Sequence, residues 1–298
     1  MNYLSITPDG KHLVSAGSQS VRIWNLQTGG LIRKLENSGK ISFVRTSQDG
    51  KTLVMDGGVQ IEKSTTDTSD YRYYDQRKKY LINVLNLPTA TLKKQLVHDN
   101  SLTRVKISPS GNILVSGDET GKLNIWDLQS GRLQKMLTGH NSKIKSIAIS
   151  PDEKTIVSTE DYGQIKIWDL ISGKLKATFT GHDYSILYPV GIVILNNNTL
   201  VSWNEKNMKI WNLQTGNLKH TIKPVNYLRK FDFIFFDSKS LMIQEDSGIK
   251  TWDLLTGKLT NTFQIKDDIL AFSPDGKIMA TRIEDNNINI WKITSGNK

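Results

Sequence analysis

Histidine, serine and aspartate recur together along this chain at a spacing that invites a catalytic interpretation. His140, Ser158 and Asp161 lie close in sequence, and such a trio can supply the base, the nucleophile and the orienting acid of acyl transfer. The pattern is repeated on both sides, with His98, Ser116 and Asp118 upstream and His182 and Ser202 downstream. A single active site would not repeat, so the repetition favours a structural role in which polar side chains satisfy one another.

The remaining motifs indicate no phosphate or metal site. The segment Gly117 to Leu123 contains two glycines and a lysine, but it lacks the Ser or Thr of a phosphate loop and precedes a predicted strand instead of a helix. The five histidines are scattered and there is no cysteine, so no zinc-ligand spacing is present. We therefore expect no cofactor, no metal and no catalytic residue.

Tryptophan reveals the elements that must position these side chains. A phrase of an apolar residue, Trp, Asp or Asn, and Leu recurs with small variations at Trp24, Trp126, Trp168, Trp211, Trp252 and Trp291. From Trp126 onward the steps are 42, 43, 41 and 39 residues. A degenerate copy fills the long first gap, with Leu85 at the Trp position and Ala90 at the position of the closing glycine. A period of roughly 40–45 residues is typical of propeller blades, so the sequence predicts seven repeats.

Each repeat is expected to contain four strands. A turn such as Pro109-Ser110-Gly111 lies upstream of the tryptophan, and a Ser/Thr-Gly turn follows it in most copies. Short runs rich in Val, Ile, Leu and Thr lie between these turns and are typical of strands. The predicted order is strand a, a tight turn, strand b, a loop, strand c with the tryptophan, a turn, and strand d.

These repeats resemble the WD40 family over nearly the whole chain. Thr138-Gly139-His140 and Thr180-Gly181-His182 match the Gly-His phrase of that family. The resemblance implies an all-β fold, a seven-bladed β-propeller of four-stranded antiparallel blades. It also implies a hydrogen-bonded network within a blade, formed by His140, Ser158, Asp161 and Trp168 in one repeat and by His182, Ser202 and Trp211 in the next.

The repeats predict one domain over residues 1–298. The predicted blades are residues 1–38, 39–97, 98–139, 140–181, 182–223, 224–264 and 265–298. The last blade is expected to lack its outer strand, because the chain closes two residues after Ser295-Gly296 and opens inside a strand a. We expect a partner, or a segment N-terminal to Met1 in a longer protein with a fused domain, to supply that strand.

The second repeat carries an insertion at residues 58–80, between strands b and c. Long loops on rigid scaffolds often carry function, and the resemblance places the b–c and d–a loops on the rim that most often binds partners. Tyrosine and arginine suit such contacts, although a polar loop without a partner is an equal alternative. The predicted partner-binding residues are Tyr71, Arg72, Tyr73, Tyr74, Arg77 and Tyr80, with Tyr162, Tyr184 and Trp203 from other repeats. For Trp203, packing against a neighbouring blade is the favoured alternative.

The net charge of +10 is concentrated on the predicted d strands. These six strands carry ten basic residues and no acidic one: Arg33, Lys34, Lys93, Lys94, Arg132, Lys135, Lys174, Lys176, Lys219 and Lys258. Lysine on an edge strand discourages edge-to-edge pairing, and this structural role is favoured. The alternative is that the ten residues form a basic belt that binds polyanions, and salt would weaken such binding.

Two further cations, Arg45 and Lys106, are predicted at matching positions of strand a. The resemblance implies that this strand lines the channel of a propeller. The two side chains can form a basic channel mouth or pair with nearby carboxylates, and the sequence leaves both alternatives open.

Several classes of function are disfavoured by composition. No apolar stretch is long enough to span a bilayer and no signal peptide is evident, so we expect a cytoplasmic protein without a transmembrane segment. The favoured function is a non-catalytic scaffold that binds a protein or peptide on the loop rim, as the sensing or assembly module of a larger signalling or regulatory protein. The alternatives are polyanion binding to nucleic acid or an acidic surface through the basic belt, and a propeller hydrolase at the channel mouth.

Overall fold

The computed structural model of the protein contains only β-strands as regular secondary structure in the residues that it describes. These are residues 3–7, 10–17, 19–36, 41–62, 77–161, 163–180, 182, 191–204, 206–223, 233–235, 240–245, 248–264, 268–272, 278–282 and 288–292. The all-β prediction is confirmed. Contacts group the chain into two compact units, Met1–Thr178 and Phe179–Lys298, and the single domain over residues 1–298 stays a prediction.

The described strands form seven antiparallel sheets, and in each sheet the strands follow one another in chain order. The first sheet contains β1 Tyr3–Ile6, β2 His12–Ala16, β3 Ser20–Asn25 and β4 Leu31–Glu36; the second β5 Val44–Thr46, β6 Thr52–Glu62, β7 Arg77–Asn86 and β8 Thr91–His98; the third β9 Leu102–Ile107, β10 Ile113–Asp118, β11 Leu123–Asp127 and β12 Leu133–Leu137; the fourth β13 Ile144–Ile149, β14 Thr155–Glu160, β15 Gln164–Asp169 and β16 Leu175–Thr180; the fifth β17 Gly191–Asn196, β18 Thr199–Trp203, β19 Met208–Asn212 and β20 Leu218–Ile222; the sixth β21 Phe233–Phe235, β22 Ser240–Glu245, β23 Gly248–Asp253 and β24 Leu259–Phe263; the seventh β25 Asp268–Phe272, β26 Ile278–Arg282 and β27 Ile288–Lys292.

One sheet corresponds to each repeat that the tryptophan spacing predicts. The third strand of each sheet carries the tryptophan, or Leu85 in the second sheet. The strand β8 ends at His98, one residue beyond the boundary expected at residue 97. Three strands of the seventh sheet are described, and the residues after Lys292 lie outside the described part of the chain.

The hydrophobic cores lie between consecutive sheets. In residues 1–178, one cluster joins Ile23 of the first sheet to Leu53 of the second. A further cluster joins the second sheet to the third, and another the third to the fourth. Within residues 179–298, Ile210 of the fifth sheet and Leu241 of the sixth share a cluster. Successive side chains of a strand point to opposite faces of the sheet. Because the second and third sheets have a core on each face, their middle strands are apolar on both faces.

The residue after each tryptophan shapes the turn between the third and fourth strands. The Asp169 carboxylate accepts hydrogen bonds from the Ser172 backbone N–H at 2.8 Å and from its hydroxyl at 2.9 Å. Asp253 and Asn212 accept comparable bonds from their turns. Since such bonds mimic a backbone turn, they explain why the repeating phrase has Asp or Asn at this position. The turn closes on a glycine with positive φ in most repeats. In the second repeat Ala90 takes this position, also with positive φ, at 52°.

One turn between first and second strands also links two sheets. Gly10, Gly50 and Gly111 have positive φ at the end of this turn, but the fourth sheet has Glu153 there, at φ 55°. The Glu153 carboxylate accepts hydrogen bonds from the backbone N–H and the hydroxyl of Ser110, which belongs to the turn of the third sheet. These bonds offset the cost of a left-handed conformation in a residue other than glycine.

Gly121 is a position where the packing of neighbouring sheets excludes any side chain. It has φ 87°, and a Cβ atom would lie 2.7 Å from the Ser142 carbonyl oxygen and 2.8 Å from that of His140. We predict that Gly121→Ala lowers the free energy of unfolding by roughly 2–4 kcal/mol, because left-handed strain adds to a clash with backbone atoms. Urea denaturation measures this loss.

Gly10 provides the matched control, since it has φ 69° and no atom within 4 Å of its Cβ position. Gly10→Ala should cost only the backbone strain of about 1 kcal/mol. Equal losses in the two variants would contradict the close approach assigned to Gly121.

Candidate functional site

Among the side chains that the structure describes, a hydrogen bond between the tryptophan of the third strand and a serine of the second strand recurs in four sheets. In each case the indole Nε1–H donates to the serine Oγ. The distances are 3.1 Å for Trp24 to Ser15, 2.9 Å for Trp126 to Ser116, 2.8 Å for Trp168 to Ser158 and 2.8 Å for Trp211 to Ser202. A buried indole has one donor to satisfy, and the serine on the adjacent strand satisfies it.

The fourth sheet extends this pair into a network of four side chains. Ser158 accepts from Trp168 and lies 2.6 Å from His140 Nε2. The other ring nitrogen faces a carboxylate, which can only accept, so Nε2 accepts from the Ser158 hydroxyl and the neutral histidine carries its proton on Nδ1. That nitrogen faces the Glu160 carboxylate at 3.5 Å. Glu160 also accepts hydrogen bonds from the backbone N–H groups of the loop that follows His140.

The acid of this network is Glu160 and not Asp161, which corrects the expectation from sequence. The strand β14 continues through Glu160, which is 1% exposed. Asp161 is the first residue of the following turn, where it pairs with Lys145 at 2.6 Å and with Lys143 at 3.6 Å. Because β14 extends through Glu160, Glu160 faces His140, and Asp161 forms ion pairs in the turn instead.

The fifth sheet has an uncharged version of the network. His182 Nε2 lies 2.8 Å from the Ser202 hydroxyl, which accepts from Trp211. The other ring nitrogen of His182 lies 2.8 Å from Asn207 Oδ1. An amide thus takes the position that Glu160 has in the fourth sheet.

The third sheet differs, because its histidine does not reach the serine. His98 Nε2 accepts from the Asn124 side chain at 3.1 Å, and His98 Nδ1 donates to the Asn100 carbonyl at 3.0 Å. Asp118 accepts from the Asn100 side chain and from backbone N–H groups of its own loop. Asp118 therefore shapes a loop, and Ser116 bonds only to the tryptophan among these groups.

The burial of these groups argues against chemistry on a substrate. Ser158 is 0% exposed, His140 6% and Trp168 2%, so a substrate carbonyl has no access to the hydroxyl. The Ser158 oxygen already accepts a hydrogen bond from an indole, which a nucleophile would have to lose. Within the described residues no group of three or more His, Cys, Asp or Glu side chains is placed to hold a metal ion.

Most of the predicted partner-binding residues lie outside the described part of the chain. These are Tyr71, Arg72, Tyr73, Tyr74, Tyr162 and Tyr184. Arg77 begins β7, and Tyr80 lies in the same strand and is half-buried. Trp203 ends β18, opposite Gly191, and packs partly buried against the core between the fifth and sixth sheets. A Cβ atom on Gly191 would lie 2.3 Å from the Trp203 ring, so packing describes this tryptophan better than a free anchor.

The insertion in the second repeat begins and ends as a two-stranded ribbon. The insertion was expected to occupy residues 58–80, but β6 continues to Glu62 and β7 starts at Arg77, opposite it. A register shift between Asp56 and Gly58 precedes the ribbon. The alternation of Val59, Gln60 and Ile61 was the missed signal, since alternating apolar and polar residues are typical of a strand.

The ribbon presents exposed apolar side chains. Val59 and Ile61 are 50% and 51% exposed, and they lie opposite Tyr80 and Lys78 on β7. The fourth strand β8 pairs with β7 only as far as Tyr80. The ribbon of residues 57–62 and 77–80, which begins one residue before the predicted insertion, therefore combines apolar, aromatic and cationic residues.

The fourth strands lie at the edge of their sheets. This position fits the role predicted for their lysines, which is to discourage pairing with the edge of another sheet. In β4, β8, β16 and β24 most side chains are exposed. The first of these strands also contains Glu36, which pairs with Lys34, and Lys176 pairs with Asp169 at 2.8 Å. The basic belt is thus exposed and partly neutralised by its own sheets.

Comparison with known proteins gives two partial family matches and many similar structures. Residues 51–186 match the family model described as Nucleolar protein 10-like, N-terminal domain, and residues 2–25 match the WD domain, G-beta repeat. No curated protein matches. A chain in a solved structure entitled "Crystal Structure of Mitotic Checkpoint Complex" is similar, with a TM-score of 0.72 at 20% identity, over 98% of this chain and 87% of that chain. In all, 1782 solved chains match, so the likeness establishes the fold and cannot select a partner.

The sheets and the structural likeness define a β-propeller. The repeat match at residues 2–25 and the propeller-domain match at residues 51–186 confirm the resemblance to WD40-repeat propellers that the sequence predicts. Nothing among the described residues is a helix that could cross a membrane.

The stability of the fourth sheet should depend on the charge of His140. Burial, and to a lesser degree the charge of Lys166, lowers the pKa of His140 from its ordinary value of 6.5 to about 4, although Glu160 acts in the opposite direction. The unfolded chain takes up this proton as the pH falls below 6.5, whereas the folded chain takes it up only near pH 4. The contribution of neutral His140 is therefore complete above pH 6.5 and is lost between pH 6.5 and 4, by on the order of 1–3 kcal/mol.

His140→Gln removes the titrating group and should weaken this dependence. We expect the variant to be less stable at pH 7 and to lose less stability than the parent chain between pH 6.5 and 4, as measured by urea midpoints. Parallel pH profiles for the two chains would show that His140 is not the buried neutral group described above.

Proposed function

We propose that this chain is a non-catalytic scaffold that captures a protein or peptide partner on the ribbon of residues 57–62 and 77–80. The observation that carries the proposal is the pair of half-exposed side chains Val59 and Ile61 on a two-stranded projection. Apolar and aromatic groups beside cations are the composition of interaction surfaces. Lys79 pairs with Asp99 at 2.7 Å, which fixes one side of the base of the ribbon.

The rest of the fold supports a scaffold role. The Ser158 and Ser202 hydroxyls are buried and hydrogen-bonded to histidine and tryptophan, so the described serine–histidine networks offer no reactive group to solvent. The similar chain of known structure comes from a complex, by its title, and WD40 propellers commonly bind proteins. Candidate contacts beyond the ribbon remain Tyr71, Arg72, Tyr73, Tyr74, Tyr162 and Tyr184. A role in a signalling or regulatory protein belongs to the same proposal.

The proposed location is less specific than the proposed role. A cytoplasmic protein was expected from composition, whereas the family model that matches residues 51–186 is named for a nucleolar protein. Either compartment suits a scaffold without cysteine, because both are reducing.

Exposure of the fourth strands favours polyanion binding as a second candidate. Lys93, Lys94 and Lys174 are exposed, and their contacts with phosphates would be independent of sequence and sensitive to salt. Retention of a partner at high salt would exclude this candidate for that partner.

A pair of serine substitutions tests the ribbon. We predict that Val59→Ser with Ile61→Ser reduces capture of the partner from native lysate by about tenfold or more, because two apolar anchors are lost. Capture is quantified by mass spectrometry at high salt. Stability should change little, since both side chains are half-exposed in the folded chain.

The matched control is Ile171→Ser with Leu255→Ser, which removes two exposed apolar side chains elsewhere, at 69% and 73% exposure. Capture should be unchanged in this control. Equal capture by both double variants and the parent chain would refute the ribbon as the binding surface.

A further inference from the structure

Three cations lie together on the first strands of the second and third sheets. Arg45 lies on β5 opposite Val54, and Lys106 lies at the matching position of β9, opposite Val115. Arg104 is on the same side of β9, two residues before Lys106. The strands β5 and β9 are in contact. Matching positions on adjacent first strands therefore bring these side chains to one place.

The third sheet does not neutralise its two cations. Arg104 donates to the Thr103 carbonyl oxygen at 2.6 Å, and no carboxylate of the described residues forms an ion pair with Arg104 or Lys106. On β13, the next first strand, Lys145 is paired with Asp161 at 2.6 Å. Of the two alternatives that the sequence left open, pairing with a carboxylate is therefore not found for Lys106.

Keeping these charges together has an electrostatic cost. Burial lowers the pKa of Lys106 and of Arg104, and the like charge of Arg45 lowers both further. Both side chains nevertheless remain accessible to water. The cluster is partly desolvated but accessible, and neither Arg104 nor Lys106 is paired with a carboxylate. Such a cluster is well suited to bind an anion from solution.

We propose that Arg104 and Lys106, together with Arg45, form a binding site for a small polyphosphate anion. Guanidinium groups match the oxygens of a phosphate in a bidentate geometry, and lysine adds a point charge. Three positive charges favour a ligand with several negative charges. The cluster is compact, whereas a nucleic-acid strand requires an extended track with stacking side chains.

The test uses inorganic tripolyphosphate as the probe, with titration calorimetry of the whole chain at low ionic strength. We expect one site per chain, and a dissociation constant that rises about tenfold or more in the double variant Arg104→Gln, Lys106→Gln, because charge-assisted hydrogen bonds are lost. The probe should raise the melting temperature of the parent chain and leave that of the double variant unchanged.

The control variant also replaces two cations by glutamine, but at positions outside the proposed site. Lys51 and Lys154 are exposed in the turns that follow β5 and β13, outside the fourth strands and outside the proposed site. Lys51→Gln with Lys154→Gln should preserve tripolyphosphate affinity within about twofold, by the screening of exposed charges outside the site. A loss in this control as large as in the Arg104 and Lys106 variant, or parent-like affinity in that variant, would overturn the proposal. Without probe, the Arg104 and Lys106 variant should melt no lower than the parent, because like-charge repulsion is relieved.

Discussion

The rest of the structure depends on where a buried indole N–H finds its acceptor. The third strand of a sheet is packed on both faces, so its tryptophan has to be satisfied within its own sheet. A serine on the second strand does this in four sheets. In the second sheet neither partner is present: buried Leu85 takes the tryptophan position and buried Met55 takes the serine position. In the sixth sheet the register places Ile243 at the serine position, and the buried Trp252 Nε1 has no described partner.

Repetition made the scaffold predictable, and local irregularity limited the prediction of its details. The tryptophan period located all seven sheets, and it identified His140, Ser158 and Trp168 as one group. It could not choose between Glu160 and Asp161, because that choice depends on whether β14 ends one residue earlier or later. The ribbon was missed for a related reason: the register shift near Gly58 interrupts the apolar pattern, so Val59 and Ile61 read as part of a polar loop.

Because the described serine–histidine networks are buried and hydrogen-bonded internally, binding functions fall to the edges of the sheets. Sheet cores and serine–histidine networks fix the strands, and three kinds of surface remain available. The fourth strands carry exposed lysines at the edge of each sheet, the ribbon extends one hairpin of the second sheet, and the first strands of the second and third sheets gather Arg45, Arg104 and Lys106. Among the described residues, Arg104 and Lys106 of this last group form no ion pair with a carboxylate, and the ribbon exposes the apolar side chains Val59 and Ile61 at alternate positions of a strand.

The most direct test of the central claim compares the same substitution in two sheets. Trp24 and Trp252 are both half-buried, but only Trp24 donates to a serine, at 3.1 Å from Ser15. Urea denaturation of Trp24→Phe and Trp252→Phe should show a loss of stability larger by about 1 kcal/mol for Trp24→Phe, the net contribution of one hydrogen bond. An equal or larger loss for Trp252→Phe would contradict the claim that the serine acceptor stabilises the sheet.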